Sequence, residues 1–438
     1  MHATAVILAA GLGTRMKSAL PKTLHKIAGR SMLRHLLASC EGVFDRIVVV
    51  LGPDMDAVRR EAAPHACVEQ RDRLGTAHAA LQALPHFGDG VVAVLYADNP
   101  LIRPETLRAL LDRQAAGDVG MGLLAFRPAD PARYGRVIAR DGLVERIVEW
   151  ADATEAERAV TLCNAGVLCA PADAMARWLG AVRADNAKGE YYLTDTVALA
   201  RAGGRGVAAV EAPAEELAGV NSRAELAQAE AVAQGWLRRR AMDNGATMID
   251  PASVFLSWDT ELGQDVTIEP NVFFGPSVRV ADDVTIRANS HLEGCTIGPG
   301  SVIGPFARLR PGAELERDVH VGNFVEVKAA HLAAGVKASH LTYLGDASVG
   351  AGTNIGAGTI TCNYDGVAKH RTTIGAHAFI GSDVALVAPV TVGDGAIVAA
   401  GSTITEDVAP DALALARGRQ VNKPGRASAM RAAMKGRR

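Results

Sequence analysis

The chain has 438 residues, a net charge of −2 and only 4% aromatic residues. This charge provides no overall attraction to nucleic acid. The sequence contains no run of about 20 apolar residues, so no membrane-spanning helix is predicted. Six scattered cysteines without Cys-x-x-Cys spacing favour reduced thiols over a zinc site or a disulfide framework, as expected of a cytoplasmic protein. The length favours two or three domains.

Residues 1–221 alternate apolar runs with amphipathic ones. Strands are predicted at Ala5–Ala9, Arg46–Leu51, Val91–Ala97 and Met121–Phe126, and helices at Met32–Cys40, Thr76–Leu84 and Glu105–Gln114. This alternation is typical of an α/β Rossmann-like domain, with a mostly parallel sheet covered on both faces. The first run lacks a basic flank and ends in a glycine turn, so we predict a buried strand rather than a signal peptide.

A helical pattern follows the first domain. Ser222 and Glu225 form a capping box, in which the serine side chain accepts from the glutamate N–H and the glutamate reaches back. The run Asp243–Gly245 ends the pattern, so a single helix of about 20 residues is expected. The predicted division of the chain is a first domain at residues 1–221, a linker helix at 222–244, and a second domain with a C-terminal tail at 245–438.

In the second domain an aliphatic or aromatic residue recurs at every sixth position, often followed by glycine. The positions fall in three registers: Ile268, Phe274, Val280, Ile286 and Leu292; Ile297, Ile303, Leu309, Leu315, Val321 and Val327; Ile374, Ile380, Leu386, Val392, Val398 and Ile404. This period is typical of a left-handed parallel β-helix, in which each hexapeptide forms a short strand and a turn. A β-sandwich would instead space its strands by about 8–12 residues.

The first predicted strand runs into a glycine-rich turn that contains Gly11 and Gly13, with Arg15 and Lys22 close behind. Such glycines let backbone N–H groups approach a phosphate, and the two cations can neutralise its charge. The turn lacks the third glycine of a dinucleotide site and the Gly-Lys-Ser/Thr of a Walker loop. Further motifs complete the set: Gln70, the run Leu74–Ala77, and Tyr96–Asp98 at the carboxyl end of a strand, where open α/β sheets bind ligands.

This set of motifs resembles the nucleotide-sugar pyrophosphorylases. With three runs of the second domain, Gly304–Ala313, His340–Asp346 and Asn354–Gly366, nearly the whole chain resembles the bifunctional N-acetylglucosamine-1-phosphate uridylyltransferase/glucosamine-1-phosphate N-acetyltransferase family. The resemblance implies acetyl transfer from acetyl-CoA to glucosamine 1-phosphate. It also implies Mg²⁺-dependent uridylyl transfer from UTP to N-acetylglucosamine 1-phosphate, with release of pyrophosphate.

For uridylyl transfer, the resemblance assigns residues to four tasks. Uracil and phosphates would be held by Leu8, Ala9, Ala10, Gly11, Gly13, Tyr96 and Ala97; the base would be read by Gln70, Gly75 and Thr76; and the sugar would be held by Gly135, Glu149 and Asn164. Arg15 and Lys22 would stabilise the transferred phosphorus, and Asp98 and Asn221 would bind Mg²⁺.

Some of these residues also have simpler interpretations: a turn cap for Asp98, a surface carboxylate for Glu149, a turn residue for Asn164 and a solvated loop cation for Lys22. Ala97, Asn99 and Trp150 depart from the family pattern, which has a glycine, a small apolar residue and a basic residue there. The methyl group of Ala97 is expected to crowd a nucleotide pocket lined by backbone.

For acetyl transfer, the resemblance assigns His340 as the general base, because imidazole accepts protons near neutral pH. The nearest rival is Asp365, on an inserted loop at Tyr364–Arg371. The sugar phosphate would be held by Arg310, Lys328, Tyr343, Asn354 and Lys369, and the acetyl-CoA side of the reaction by Asn363, Tyr364, Ser382, Ala400 and Arg417. Asn363 and Tyr364 would orient the reacting groups, and Ser382 would donate to the oxyanion.

The resemblance also implies a homotrimer with its acetyl site between subunits. Two other interpretations stay open at this point. The solenoid can be a structural or regulatory appendage that binds no acetyl donor, or the whole chain can be a catalytically silent scaffold related to translation-factor exchange subunits. A silent scaffold has no reason to combine Lys22, Asp98, His340 and Asn363.

Overall fold

The structure is a computed structural model that describes residues 2–186 and 188–435. The chain divides into two compact units, Met1–Trp236 and Leu237–Arg438. The end of the predicted C-terminal tail, residues 436–438, lies outside the described residues. No helix in the described part of the chain is long and apolar enough to cross a membrane.

The first unit is built on a sheet. The strands of the unit are β1 (Ala3–Leu8), β2 (Lys26–Ile27), β3 (Arg30–Ser31), β4 (Arg46–Leu51), β5 (Ala66–Glu69), β6 (Val91–Tyr96), β7 (Met121–Phe126), β8 (Arg136–Arg140), β9 (Leu143–Val148), β10 (Cys163–Pro171) and β11 (Val207–Glu211). The short strands β2 and β3 pair with each other in a separate two-stranded sheet. The strand order is β11-β7-β10-β6-β1-β4-β5. Strand β10 runs antiparallel to β6 and β7, whereas the other neighbours in this order are parallel. The hairpin β8–β9 attaches through β10.

Helices cover both faces of this sheet. The α-helices are Met32–Glu41, Asp56–Ala62, Thr76–Leu81, Pro104–Ala115, Glu155–Arg158, Ala172–Ala181, Asp195–Ala202, Ala214–Leu217 and Arg223–Asp243, with 3-10 turns at Thr14–Met16, Lys22–Leu24 and Leu84–His86. In β1, Ile7 joins one buried apolar cluster and Val6 joins another. Successive side chains of a strand point to opposite faces, so both faces are buried, as predicted.

The long helix Arg223–Asp243 begins with the predicted capping residues. Ser222 Oγ accepts from the Glu225 N–H at 3.3 Å, but the Glu225 carboxylate reaches one residue farther back, to the Asn221 N–H at 2.7 Å. The boundary between the two compact units lies inside this helix. The domain limits at residues 221 and 245 stay predictions.

The second unit is a solenoid of three parallel sheets. The first sheet contains Thr247–Met248, Thr267–Ile268, Thr285–Ile286, Val302–Ile303, His320–Asn323, Lys337–His340, Asn354–Ile355, Phe379–Ile380, Ile397–Val398 and Leu413–Ala414. The second contains Glu261–Leu262, Arg279–Val280, Cys295–Ile297, Ala313–Leu315, Ala330–Leu332, Ala347–Val349, Thr372–Ile374 and Val390–Val392. The third contains Phe273–Phe274, His291–Leu292, Arg308–Leu309, Glu326–Lys328, Tyr343–Gly345, Ile360–Cys362, Ala385–Val387 and Thr403–Ile404. A 3-10 turn at Pro251–Ser253 and a helix at Arg426–Lys435 complete the unit.

The interior of the solenoid consists of the repeating apolar residues. Every residue of the three predicted registers is at most 5% exposed. The stacking also continues through the stretch where the sequence period is irregular, with Leu332, Ala338, Leu344, Val349 and Ile355 in the same core. The first coils there are one residue shorter, so that Asn323 and His340 are 17 apart instead of 18. The coil with the inserted loop is longer, so that Ile355 and Ile380 are 25 apart. The fold class predicted from the sequence is therefore confirmed.

Candidate active sites

The first site forms where β1 and β6 end. Leu8 and Tyr96 pair in parallel register, which brings the glycine turn after β1 next to Asp98 after β6. The Lys22 Nζ donates to Asp98 Oδ2 at 2.5 Å and to Asn221 Oδ1 at 3.0 Å. The side chains of Lys22 and Asp98 are 14% and 19% exposed. The fold thus brings together three candidate residues from segments far apart in the chain.

Gly13 allows the glycine turn to pack against Lys22. Its φ is 62°, and a Cβ there would lie 2.5 Å from the Lys22 Cβ, a distance that real contacts do not allow. Ala9 and Ala10 are buried behind the turn, whereas Gly11 is exposed. Arg15, in the 3-10 turn Thr14–Met16, is also exposed and makes no ion pair within the described residues. Arg15 therefore lies outside the Lys22 cluster.

Backbone contacts hold Asn221 beside Asp98. The Val220 N–H donates to the Asp98 carbonyl at 2.8 Å. Asn99, which departs from the family pattern, is 3% exposed and donates to the Leu217 carbonyl at 2.7 Å. Because this contact ties the loop after β6 to the segment before Asn221, Asn99 has a structural role here.

The residues assigned to the base lie together at the start of the helix Thr76–Leu81. Gln70 is buried and its Nε2 donates to the Gly75 carbonyl at 3.0 Å. Gly75 has a φ of 120°, and a Cβ there would lie 2.5 Å from the Tyr191 carbonyl oxygen. The Thr76 hydroxyl accepts from the Leu193 N–H at 2.9 Å. A glycine is thus required at position 75.

Tyr96 and Ala97 lie deeper, at the end of β6. Burial raises the pKa of the Tyr96 hydroxyl, which keeps this hydroxyl protonated. Ala97 is 1% exposed and belongs to a buried apolar cluster on one face of the sheet. Its methyl group therefore packs in the core, and the crowding of a nucleotide pocket at this position stays a prediction.

Gly135, Glu149 and Asn164 also come together. The Asn164 N–H donates to the Gly135 carbonyl at 2.9 Å, and a Cβ at Gly135 would lie 3.5 Å from Glu149 Oε1. Burial raises the pKa of Glu149, although Thr194 Oγ1 donates to its carboxylate at 3.2 Å. These groups can bind the hydroxyl and amide groups of a sugar.

Trp150, which stands where the family has a basic residue, is placed among arginines. The Arg158 and Arg133 guanidinium carbons lie 4.3 Å and 5.4 Å from its ring centroid. Both distances are within the range of a cation–π interaction. Positive charge is therefore placed against the Trp150 ring, and it comes from other segments.

In the solenoid, His340 lies at the end of its strand on the first sheet and is exposed. Its Nδ1 is 2.8 Å from the Oδ1 of Asn323, one coil earlier. Because an amide oxygen only accepts, Nδ1 carries the hydrogen and Nε2 keeps its lone pair. Sequence reasoning missed Asn323. The signal that identifies it is its position 17 residues before His340, which is one short coil.

The cations assigned to the sugar phosphate gather near the third sheet. Arg310 donates to Glu326 at 2.8 Å. Close contact with Lys369 lowers the pKa of Lys328, and Arg310 adds to this effect. Like charges at this separation favour an anion between them. Asn354 lies on the first sheet, and within the described residues no hydrogen bond or ion pair joins it to this cluster.

Asn363 contacts Tyr343 of the predicted acetyl site and also Asp346, which was not assigned to that site. Its Nδ2 donates to Asp346 Oδ2 at 2.5 Å and lies 3.4 Å from the Tyr343 hydroxyl. Tyr364 is 60% exposed and donates to the Gly366 carbonyl at 2.7 Å. The rival base Asp365 accepts from the backbone of the inserted loop, and the Ala368 N–H is the main cause that holds its pKa well below the usual range. Asp365 is therefore a poor proton acceptor.

The residues assigned to acetyl-CoA form a further group on the solenoid. Ser382 and Ala400 are exposed. The Gly401 N–H donates to the Ser382 carbonyl at 2.8 Å. Arg417 donates to the Ala400 carbonyl at 2.7 Å. Stacked coils thus place these three residues next to each other.

Two families match this chain. One is described as the MobA-like NTP transferase domain and matches residues 5–203; the other is described as bacterial transferase hexapeptide (six repeats) and matches residues 294–329 and 371–406. The fold and these matches define a nucleotidyltransferase joined to a hexapeptide-repeat transferase.

Full-length relatives define the particular family. The Bifunctional protein GlmU of Acidiphilium cryptum is 66% identical, over 98% of this chain and 99% of that protein. Its counterparts in Granulibacter bethesdensis and Gluconacetobacter diazotrophicus are 64% and 62% identical, over 99% of this chain and 97% and 95% of those proteins. A solved UDP-glucose pyrophosphorylase in complex with UDP-glucose is similar at a TM-score of 0.45 and 17% identity, over 55% of this chain and 100% of that one.

The chain belongs to the GlmU family. It is a bifunctional uridylyltransferase and acetyltransferase that makes UDP-N-acetylglucosamine. This membership overturns the interpretations of the solenoid as a plain appendage and of the chain as a silent scaffold.

Asn323→Ala removes the acceptor that holds the His340 ring. We expect kcat/KM for acetyl transfer to fall about 10- to 100-fold, because the ring can then rotate and change tautomer. Uridylyl transfer should not change. Release of free thiol from acetyl-CoA measures the first activity and release of pyrophosphate measures the second. Asn323→Asp keeps an acceptor and should retain most activity; wild-type acetyl transfer by Asn323→Ala would show that Asn323 does not orient the base.

Proposed function

We propose that the first unit transfers the uridylyl group by positioning two anionic substrates and neutralising their charge. The observation that carries this proposal is the convergence of Lys22, Asp98 and Asn221 at one point beside the glycine turn. Arg15 and Lys22 neutralise the transferred phosphate, and the groups around Gln70 and Glu149 hold the base and the sugar. Phosphoryl transfer needs little more from a protein than position and charge.

We propose that Asp98 and Asn221 hold Mg²⁺. Both oxygens already point at one cationic nitrogen, and carboxylate and amide oxygens are the hard ligands that Mg²⁺ prefers. The described residues contain no cluster of three or more His, Cys, Asp and Glu side chains with metal-binding geometry. A site with two protein ligands leaves the other positions to water and phosphate, which suits Mg²⁺. When bound, Mg²⁺ supplies charge stabilisation to the phosphate oxygens.

Asp98→Ala removes one of these oxygens. We expect uridylyl transfer to fall by about two orders of magnitude or more, because a bridging cation contributes several kcal/mol to the transition state. Acetyl transfer by the same variant should be unchanged, which serves as the internal control for folding. Near-normal pyrophosphate release by Asp98→Ala at ordinary Mg²⁺ concentration would show that Asp98 only stabilises a turn and does not bind Mg²⁺.

For the second unit, we propose that the Nε2 of His340 accepts a proton as the amine of glucosamine 1-phosphate attacks the acetyl carbonyl. The new C–N bond forms, the C–S bond of the thioester breaks, and CoA leaves as the thiolate, which takes up the proton that the Nε2 of His340 accepted. Arg310, Lys328 and Lys369 bind the sugar phosphate, which explains why like charges gather there. Asn363, Tyr364 and Ser382 orient the donor, and Ala400 and Arg417 line its groove.

His340→Ala removes the proposed base. Removal of a general base typically costs about 10²–10⁴-fold, and we expect CoA release to fall by this amount while uridylyl transfer is retained. His331→Ala is a matched control, because His331 lies on the second sheet beside Glu316. If His340→Ala retains more than about a third of the wild-type acetyl-transfer activity, the general base is another group or water.

We propose that residues 1–221 carry uridylyl transfer and residues 245–438 carry acetyl transfer, with residues 222–244 as the linker helix. The support is that each predicted site lies within one compact unit. We also propose a cytoplasmic location. All six cysteines are free, and disulfides are rare in that compartment.

We propose a homotrimer. An apolar ladder on the first sheet, Phe379, Ile397 and Leu413, stacks in register and is 50%, 48% and 62% exposed. Contiguous exposed apolar surface of this kind is typical of an interface. Asn354 pairs with Phe379, so one predicted substrate residue borders this ladder.

Light scattering should therefore give about three times the 45.7 kDa chain mass. We expect the double variant Phe379→Glu, Ile397→Glu to dissociate, because two charges would be buried without partners. Uridylyl transfer by the double variant should persist and acts as the control for folding. A wild-type mass of one chain contradicts the proposal.

A further inference from the structure

His78 lies next to the residue that is proposed to read the base. Gln70 follows β5 and is 3% exposed, so few orientations are open to its amide group. The Gln70 Nε2 lies 3.0 Å from the Gly75 carbonyl oxygen and 3.1 Å from the His78 Nδ1. Both hydrogens of this amide nitrogen can therefore be used within the protein.

The chemistry of these partners decides which way the amide points. A backbone carbonyl only accepts, so the nitrogen of Gln70 must face Gly75. The second hydrogen of the same nitrogen then donates to the His78 Nδ1, and His78 carries its own hydrogen on Nε2. If the amide turned over, the Gln70 oxygen would face the lone pairs of the Gly75 carbonyl, and His78 would have to move its hydrogen to Nδ1. Of the two polar atoms of the Gln70 side chain, Nε2 has these two partners and Oε1 has no hydrogen-bond partner in the described part of the chain.

The other ring nitrogen of His78 has a weaker contact. The Gln82 Nε2 donates to the His78 backbone carbonyl at 3.0 Å and lies 3.4 Å from the ring Nε2, where two N–H groups would face each other and form no hydrogen bond. The Tyr191 ring lies 6.4 Å from the His78 ring, centroid to centroid. The shorter contact, to Gln70, therefore sets the tautomer of His78.

We propose that His78 is a positioning residue that sets the base specificity of uridylyl transfer. By fixing the Gln70 amide, it presents an acceptor to the nucleobase. Uracil has a ring N–H that donates to such an acceptor, whereas neutral cytosine has a lone pair at the same ring position and is rejected. This inference rests on the proposed role of Gln70 in base reading.

The test compares kcat/KM for UTP and CTP, with N-acetylglucosamine 1-phosphate as the acceptor substrate. His78→Ala should lower the preference for UTP about tenfold, because the Gln70 amide is then held by the Gly75 carbonyl alone and can turn more easily to present its N–H groups to cytosine. His78→Asn keeps an acceptor near the Nδ1 position and should retain the preference to within about threefold. His78→Gln places its acceptor farther out and should behave like His78→Ala. The Asn and Gln variants keep the comparison valid if the alanine variant folds poorly.

Gln70→Ala separates the failure of this inference from the failure of the proposed function. If Gln70→Ala leaves the UTP preference intact, the role proposed for Gln70 is wrong. If it lowers the preference but His78→Ala slows UTP and CTP equally, His78 is only structural and the inference is overturned. If Gln70 reads the base and His78 acts only through Gln70, the double variant Gln70→Ala, His78→Ala should show the same preference for UTP as Gln70→Ala.

Discussion

Parallel pairing of buried strands is the constraint on which both sites depend. In the first unit, β1 and β6 end at the same edge of the sheet, so the glycine turn and Asp98 have to meet there. In the solenoid, each buried aliphatic residue stacks on the one a coil earlier, so polar residues at the corners stack as well. Asn323 and His340 are adjacent for this reason, although neither residue belongs to the core.

The two sites manage charge in different ways. In the first, Lys22 is compensated by Asp98 with little exposure of either side chain, so the resting site carries few unpaired charges. In the second, Arg310 is paired with Glu326, but Lys328 and Lys369 stand close together, which disfavours the charged form of Lys328. In the proposed second site an anionic sugar phosphate would relieve this repulsion, whereas in the proposed first site a nucleotide would have to compete with existing contacts.

The sequence predicts those parts of the fold that produce a short, regular pattern of apolar residues. The six-residue period predicts the solenoid because each interior position is buried separately, and the first strands and helices are predicted because their apolar patterns are local. The antiparallel β10 was missed because it pairs with a distant segment, β6. The hairpin β8–β9 is local, with Arg140 opposite Leu143, but its strands are only partly buried and lack a clear apolar alternation. Asn323 was missed because a lone asparagine has no local pattern; its role depends on a partner one coil away. The substrate roles of the site residues came from the family resemblance, since spacing alone left turn and surface roles open.

The departures from the family pattern show what these positions actually require. The methyl group of Ala97 packs into the core of the sheet, and the Asn99 amide donates to the Leu217 carbonyl. The Trp150 ring makes a cation–π contact with the Arg158 guanidinium. In each case the altered side chain makes its contact with the protein itself. Where the structure does demand one residue type, as at Gly13 and Gly75, the reason is backbone geometry, since any Cβ would overlap a neighbouring segment. The residue type at this site is therefore constrained most strongly where two segments of the backbone approach each other closely.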